Sequence, residues 1–360
     1  MSTFGLRAER AAALAQQREL DLLLVSNLVN VRYLGGFRGT NGLCLIGLDR
    51  RTFITDFRYV ERARSEVPDY DIVRGKQDLL ESVVDVLKES SRPLRLGFDD
   101  ADLTVKAHRR LTELLPPETE LVAASGLVEE LRAVKEDGEL ASIRQAAELT
   151  DHLYRWLTEE FGLAGRTEAE VARALERRAE DSGADAAFPA IVAAAENGAL
   201  PHASSRDVPI ERDTLVVVDF GCRIDDYNSD CTRTFSTGSL DSEATEIYEI
   251  VRSAQEAAVD AVRAGAAGKA VDAVARAPIE RAGRGDQFGH GTGHGVGLEV
   301  HEAPRLAPTA EGSLAPGNVV TVEPGVYVPG RFGVRIEDLV AVGADGCERL
   351  TSLSRELVTV

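Results

Sequence analysis

Apolar positions along this chain follow two spacings, and the switches between them outline its elements. Residues 6–19 mix alanine and leucine with charged residues at a helical period, which predicts an amphipathic helix. DLLLVS (21–26) reads as a short strand, NLVNVRYLGG as a helical turn, and GLCLIG with RTFITD as an alternating strand pair. Helix 77–90, strand 95–99, helix 104–115 and strand 119–123 follow. Pro116-Pro117 stops the helix before it but lies inside the same domain. Residues 1–127 thus read as an α/β domain with its own core. The strongly charged segment 128–139 runs into a long helix through Trp156, which places a second domain at 128–360.

That second domain repeats its outline. Helices 136–160 and 168–182 precede a segment rich in Asp, and the second of them opens with Thr167 and Glu170 at capping-box spacing. Helix 242–264, closed by Gly265, and helix 270–282 then precede a segment rich in Glu. Two helices followed by a β-hairpin, occurring twice, predict a pseudo-twofold α+β domain of antiparallel sheet and helices, with a site at its seam.

The acidic segments carry the chemistry. Asp219 stands in LVVVDFG and Asp230 in NSDCTRTF, with IDDY between them; Glu323 stands in VVTVEPG and Glu337 in VRIED, with Pro329-Gly330-Arg331 between them. Read as hairpins, their midpoints fall at Ile224–Asp225 and at Gly330, and each acid faces its partner across the strands at roughly 5 Å between Cβ atoms. One such pair alone is two acids flanking a surface turn. Four converging in one domain repel strongly unless cations balance them. Two divalent ions carry four positive charges, need shared carboxylates, and activate water near neutral pH.

Histidine adds nitrogen to this set. Of the six histidines, His202 lies in GALPHAS, His290 and His294 in GHGTGHGVG, and His301 in EVHEAP. Gly289, Gly291, Gly293, Gly295 and Gly297 share one parity, so His290 and His294 share a face of an extended strand, with room for a ligand against the backbone. His294 completes the metal shells; the others are candidates to bind a substrate carbonyl or move protons. Arg335 shares a face with Glu337 and can orient it, and Arg305 can grip a carboxylate through a bidentate fork. Oxygen-rich ligation favours a hard metal such as manganese over a thiolate zinc site. Phosphate-loop, dinucleotide and single-zinc protease patterns are absent from the sequence.

Charge narrows the partners. With 41 Lys and Arg against 60 acidic residues, the net charge of −19 argues against nucleic acid and anionic membrane. The N-terminal stretch is not a signal sequence, and the longest apolar runs are too short to span a bilayer, so a cytoplasmic location is expected. The four cysteines, Cys44, Cys222, Cys231 and Cys347, form no CxxC pair. The hairpin register puts Cys222 opposite Tyr227 rather than Cys231, so reduced, buried thiols are expected.

Taken together, PHA (201–203), VVDFGCRIDDYNSDCTRTF (217–235), HGTGHGVGLEVHE (290–302), TVEPGVY (321–327) and VRIED (334–338) resemble the pita-bread metallopeptidases, in their Xaa-Pro aminopeptidase and prolidase branch. NVRYLGGFRGTNG (30–42) and FITDFRYVERA (53–63) resemble the creatinase-like domain that precedes the catalytic domain there. The resemblance implies that Asp219 holds one metal, Asp230 and Glu337 bridge both, and His294 and Glu323 hold the other. It implies attack by a bridging hydroxide on the carbonyl before proline in short peptides. It assigns substrate and proton handling to His202, His290 and His301, general acid/base work to Glu323, a supporting role to Arg335, and a grip on the dipeptide carboxylate to Arg305. Two divalent ions, most often manganese with cobalt or zinc as alternatives, and a homodimer are implied as well. Two competing readings share these motifs: methionine aminopeptidase, which typically lacks the N-terminal domain, and a peptide-binding protein that has kept the fold without the chemistry.

Overall fold

The computed structural model describes residues 2–88 and 94–360. Two compact units emerge, Met1–Arg132 and Ala133–Val360. The expected start of the second domain at 128 falls inside a helix, Leu127–Ala133, whose Arg132 donates to Asn30 of the first unit at 2.8 Å. That bond keeps the helix with the first unit.

The first unit is a mixed sheet of six strands, β1 (Leu22–Val25), β2 (Gly42–Gly47), β3 (Arg50–Thr55), β4 (Asp71–Arg74), β5 (Leu94–Phe98) and β6 (Thr119–Ala123), in the order β4-β3-β2-β1-β5-β6. β2 and β3 form the expected pair through a tight turn, with Gly47 opposite Arg50. Helix Leu79–Leu87 packs Leu79, Val83 and Leu87 against Leu45, Ile54 and Leu96 of the sheet. The end of the expected helix 77–90 lies outside the described residues. Helix Val60–Glu66 and β4 escaped the pattern reading because neither presents an apolar stripe; β4 has no buried residue.

The second unit opens with α-helices Asp137–Trp156 and Glu168–Asp181. Thr167 and Glu170 form the expected capping box, each side chain bonding the other's backbone N–H. Strands β7 (Asp185–Ala186), β8 (Ile191–Ala194), β9 (Leu215–Asp219), β10 (Cys222–Ile224), β11 (Tyr227–Asn228) and β12 (Thr232–Ser236) follow. β9 lies between β12 and β8 and is covered on both faces, which is why it reads as an unbroken apolar run. Helices Ser242–Ala261 and Gly268–Arg281 begin the second half. The first ends earlier than expected: Val262 turns out of helical geometry into the core, and Gly265 (φ 78°) belongs to the loop beyond. Next come β13 (Gly293–Gly295), β14 (Glu302–Leu306), β15 (Val319–Val322), β16 (Gly325–Val328), β17 (Phe332–Arg335), β18 (Asp338–Val342) and β19 (Cys347–Arg349). A five-stranded sheet β14-β13-β15-β18-β19 backs onto these helices through Val251, Ala254, Val271, Val320 and Val340. The two-helices-then-hairpin outline is therefore present twice.

Candidate metal centre

The Glu hairpin has the expected register. Val328 pairs with Phe332 about Gly330 (φ 71°), and Val322 pairs with Asp338 beyond, so Glu323 and Glu337 lie between two ladders of one register. Neither acid's N–H joins the ladder: Glu323 donates to Thr292 and Glu337 to Thr232. The Asp hairpin differs. Its tip is Asp225-Asp226, both at positive φ (50° and 74°), as a two-residue hairpin turn requires. Ile224 therefore faces Tyr227, and Asp219 faces Thr232 rather than Asp230. The register is displaced by two residues, which preserves the face because side chains alternate with period two. Cys222 correspondingly lies opposite Ser229, not Tyr227, and all four cysteines are free, with Cys347 only partly buried.

One ligand atom each of Asp230, His294 and Glu337 lie within 4.8 Å of one another. His294 Nε2 is 3.7 Å from Asp230 Oδ2 and 3.3 Å from Glu323 Oε1. Its Nδ1 donates to the Gly295 carbonyl at 3.1 Å, so Nε2 is the nitrogen turned toward the acids. Burial works to lower the His294 pKa, but the hydrogen bond with Glu323 and that acid's charge raise it, and Nε2 donates to Glu323. Asp219 completes the ring: Oδ2 accepts from Arg335 Nη2 at 2.7 Å, while the buried Oδ1 has no hydrogen-bond donor. Asp230 and Glu337 are 5% and 2% exposed. Burial, reinforced by the neighbouring carboxylates, pushes both well above the usual carboxylate range. Burial also opposes ionisation of Glu323, but the hydrogen bond from His294 and the electrostatic pull of His294, His290 and Arg335 together outweigh it and hold Glu323 below that range. A divalent cation would satisfy the donorless buried oxygen and balance acids that resist joint ionisation, so the residues fit divalent metal.

The glycines of GHGTGHGVG play a different part from the one expected. A Cβ on Gly293 would strike the Thr321 carbonyl, and one on Gly295 the Ala303 carbonyl. The space on the glycine face is filled by neighbouring backbone of β14 and β15, so these residues admit close strand approach rather than ligand. His290 lies outside β13, and both its nitrogens are engaged. Nδ1 donates to the Gly291 carbonyl (2.8 Å), which leaves Nε2 to accept from Tyr327 Oη (2.9 Å). Burial holds His290 below the usual histidine value.

Arg335 also departs from expectation. It is 4% exposed and orients Asp219, not Glu337 directly. It reaches Glu337 only through Thr232, which takes a bond from Arg335 Nε (3.0 Å) and donates to Glu337 Oε2 (2.8 Å). Its Nη1 donates to Tyr327 Oη and the Pro201 carbonyl, so the buried guanidinium is tied into the protein from several sides. Tyr327 was missed by sequence reasoning. Its signal was present, since its position in β16 is two residues past the pairing of Gly325 with Arg335, which puts its ring on the arginine's face. His301 is exposed, with its ring centroid 4.3 Å from that of His294; burial, then repulsion from His294, lowers its pKa. His202 is exposed on the loop before β9. Arg305 is exposed on the edge strand β14, directly across from His294.

The decisive comparison is with known families: residues 141–344 match the model of metallopeptidase family M24, and residues 7–134 match the creatinase/prolidase N-terminal domain. The chain belongs to metallopeptidase family M24. It is 35% identical to an Xaa-Pro dipeptidase of Pyrococcus furiosus over 98% of this chain and 99% of that one. Among solved structures, an Xaa-Pro dipeptidase from Bacillus anthracis superposes with TM-score 0.94 at 38% identity, covering 99% of this chain and 100% of the other. An X-Pro aminopeptidase from Thermotoga maritima superposes with TM-score 0.88 at 35% identity, covering 98% and 99%. This M24 member is thus an enzyme of the hydrolase class, with the creatinase-like domain ahead of a pita-bread catalytic domain, and its family implies a divalent metal. No helix among the described residues is long and apolar enough to cross a membrane.

Proposed function

We propose that this enzyme is an Xaa-Pro dipeptidase working with two divalent cations, manganese first among them. Arg305 carries the substrate choice. It stands across from His294, is exposed, and has no ion-pair partner among the described residues. Cross-strand neighbours share a face, so its guanidinium suits the carboxylate of a dipeptide lying over the acids. The likeness to Xaa-Pro dipeptidases supports the same reading.

A bond before proline is a special substrate, because its nitrogen has no hydrogen and its ring fixes φ. A site for it must recognise shape and charge instead. Asp219, Asp230, His294, Glu323 and Glu337 would hold the cations. Bound metal would polarise the carbonyl and make water acidic. Glu323, held ionised beside His294, accepts a proton at its carboxylate and returns it to the prolyl nitrogen. His301, neutral near pH 7, offers an N–H to the substrate carbonyl, and His202 closes the amino-terminal side. His290, with both nitrogens occupied, fixes Tyr327 and through it Arg335. We further propose a homodimer in the cytoplasm, the latter on the four free cysteines.

The test compares an Xaa-Pro dipeptide with an Xaa-Pro-Yaa tripeptide, with chelator and manganese controls. Dipeptide preference lost in Arg305→Ala, through a KM rise of roughly 10–100-fold, supports the reading. Equal turnover of both peptides, unchanged by the substitution, would make it an aminopeptidase, as the Thermotoga maritima likeness suggests. Hydrolysis of neither, or release of Met from Met-Ala instead, would reject both.

A further inference from the structure

One buried acid outside the metal centre holds the loop that carries His202. Glu168 opens its helix directly after the Thr167 cap and is 1% exposed. Its carboxylate takes five hydrogen bonds: from Ala194 N (2.8 Å) and Arg206 Nη2 (3.1 Å) on Oε1, and from Asn197 Nδ2 (2.8 Å), Arg206 N (2.8 Å) and Arg206 Nε (3.2 Å) on Oε2. These donors sit at both ends of segment 195–206, with Asn197 also reaching the Ser204 carbonyl at 3.1 Å. The backbone joins in, since Ala169 N donates to Arg206 O and Glu168 N to Val208 O. At its middle, the same segment is tied to the metal centre, where Arg335 Nη1 donates to Pro201 O at 3.3 Å.

A carboxylate that saturates its acceptor sites with donors from two ends of one loop acts as a clasp. Between its anchors the loop leaves His202 exposed and Leu200 56% exposed. A helix N-terminus already favours an acid, but that alone needs no buried fork with Arg206. We propose that Glu168 is a positioning residue for substrate binding: it fixes loop 195–206 so that His202 meets the amino-terminal residue of the substrate. This rests on the dipeptidase reading only for the identity of that substrate.

The experiment uses the manganese-loaded full chain and three variants: Glu168→Gln, His202→Ala and the double variant. Glu168→Gln is expected to raise KM for an Xaa-Pro dipeptide about tenfold while kcat changes less than about twofold. In the His202→Ala background the same change should add almost nothing, because the two act as one unit. Hydrogen exchange should quicken in 195–206 and stay unchanged in β12 and β18, with metal content unaltered. Arg206→Ala removes a partly exposed side chain and serves if Glu168→Gln does not fold. Additive penalties, or slow exchange retained in 195–206, would overturn the proposal. Should the wild type cleave no Xaa-Pro peptide, the dipeptidase reading fails, and exchange alone decides the role of Glu168.

Discussion

Replacing Arg335 by methionine would remove the buried positive charge that the four acids share. Its guanidinium donates to Asp219 Oδ2 at 2.7 Å, to Tyr327 Oη at 2.9 Å and to Thr232 Oγ1 at 3.0 Å, with the residue 4% exposed. It also lowers the pKa of Asp230, Glu323 and Glu337 against the effect of burial. Methionine keeps much of the volume, so packing changes little and electrostatics dominate. Asp219 would lose its donor on Oδ2 while Oδ1 already has none. Breaking a buried ion pair by deleting one partner costs about 3–5 kcal/mol. In a unit spanning Ala133–Val360, each kcal/mol moves Tm by about 2–4 °C. The metal-free variant should therefore melt roughly 6–20 °C below the metal-free wild type. Cations bound among the same acids take over part of the charge balance, so the gap should narrow with saturating manganese. Calorimetry of both proteins, with chelator and with excess manganese, reads this directly. A gap of equal size in both conditions would refute the shared-charge argument.

Three further outcomes are expected. Asp230 has a raised pKa in the folded, metal-free protein, so its contribution to stability is fully present below the unfolded carboxyl pKa and is lost as pH rises through the folded value. With chelator present, denaturant midpoints should then show Asp230→Asn gaining on wild type as pH rises from 5 to 8, by about 1 kcal/mol or more, and a constant difference would contradict the shift. Burial raises the Cys44 thiol to about 12 and the Cys222 thiol to about 11, so at pH 8 a disulfide reagent should leave both untouched in native protein and titrate all four cysteines after denaturation. Gly293→Ala drives a methyl into the Thr321 carbonyl and should cost about 3 kcal/mol or more with loss of activity, whereas Gly289→Ala meets nothing within 4 Å and should be tolerated; equal melting of the two would dismiss the close-approach explanation.

Much of the site was legible because its signals are local. Acids inside apolar strands, histidines among alternating glycines and paired turns all report on a few consecutive residues. Parity saved the Asp hairpin: its register is displaced by two residues, yet Asp219 and Asp230 stay on one face. The face was readable from the alternation, while the pairing depended on which two residues took positive φ, and these are Asp225 and Asp226, one place further along than the expected tip.

What the amino-acid order alone determined here is the class of each half, the five candidate ligands and the faces they share. Contacts between distant segments were decided only in three dimensions. Arg335 could be placed beside Glu337 by counting, but its choice of Asp219, 116 residues away, depends on how β17 packs against β9. Tyr327 and His290, 37 residues apart, meet for the same reason. Glu168 carries no signal in the sequence beyond its place in a helix's first turn; only folding encloses it with Arg206 and Asn197. Local pattern encodes which face a side chain takes; burial and partner are properties of packing, where one carboxylate is balanced by whichever donors the fold brings within reach.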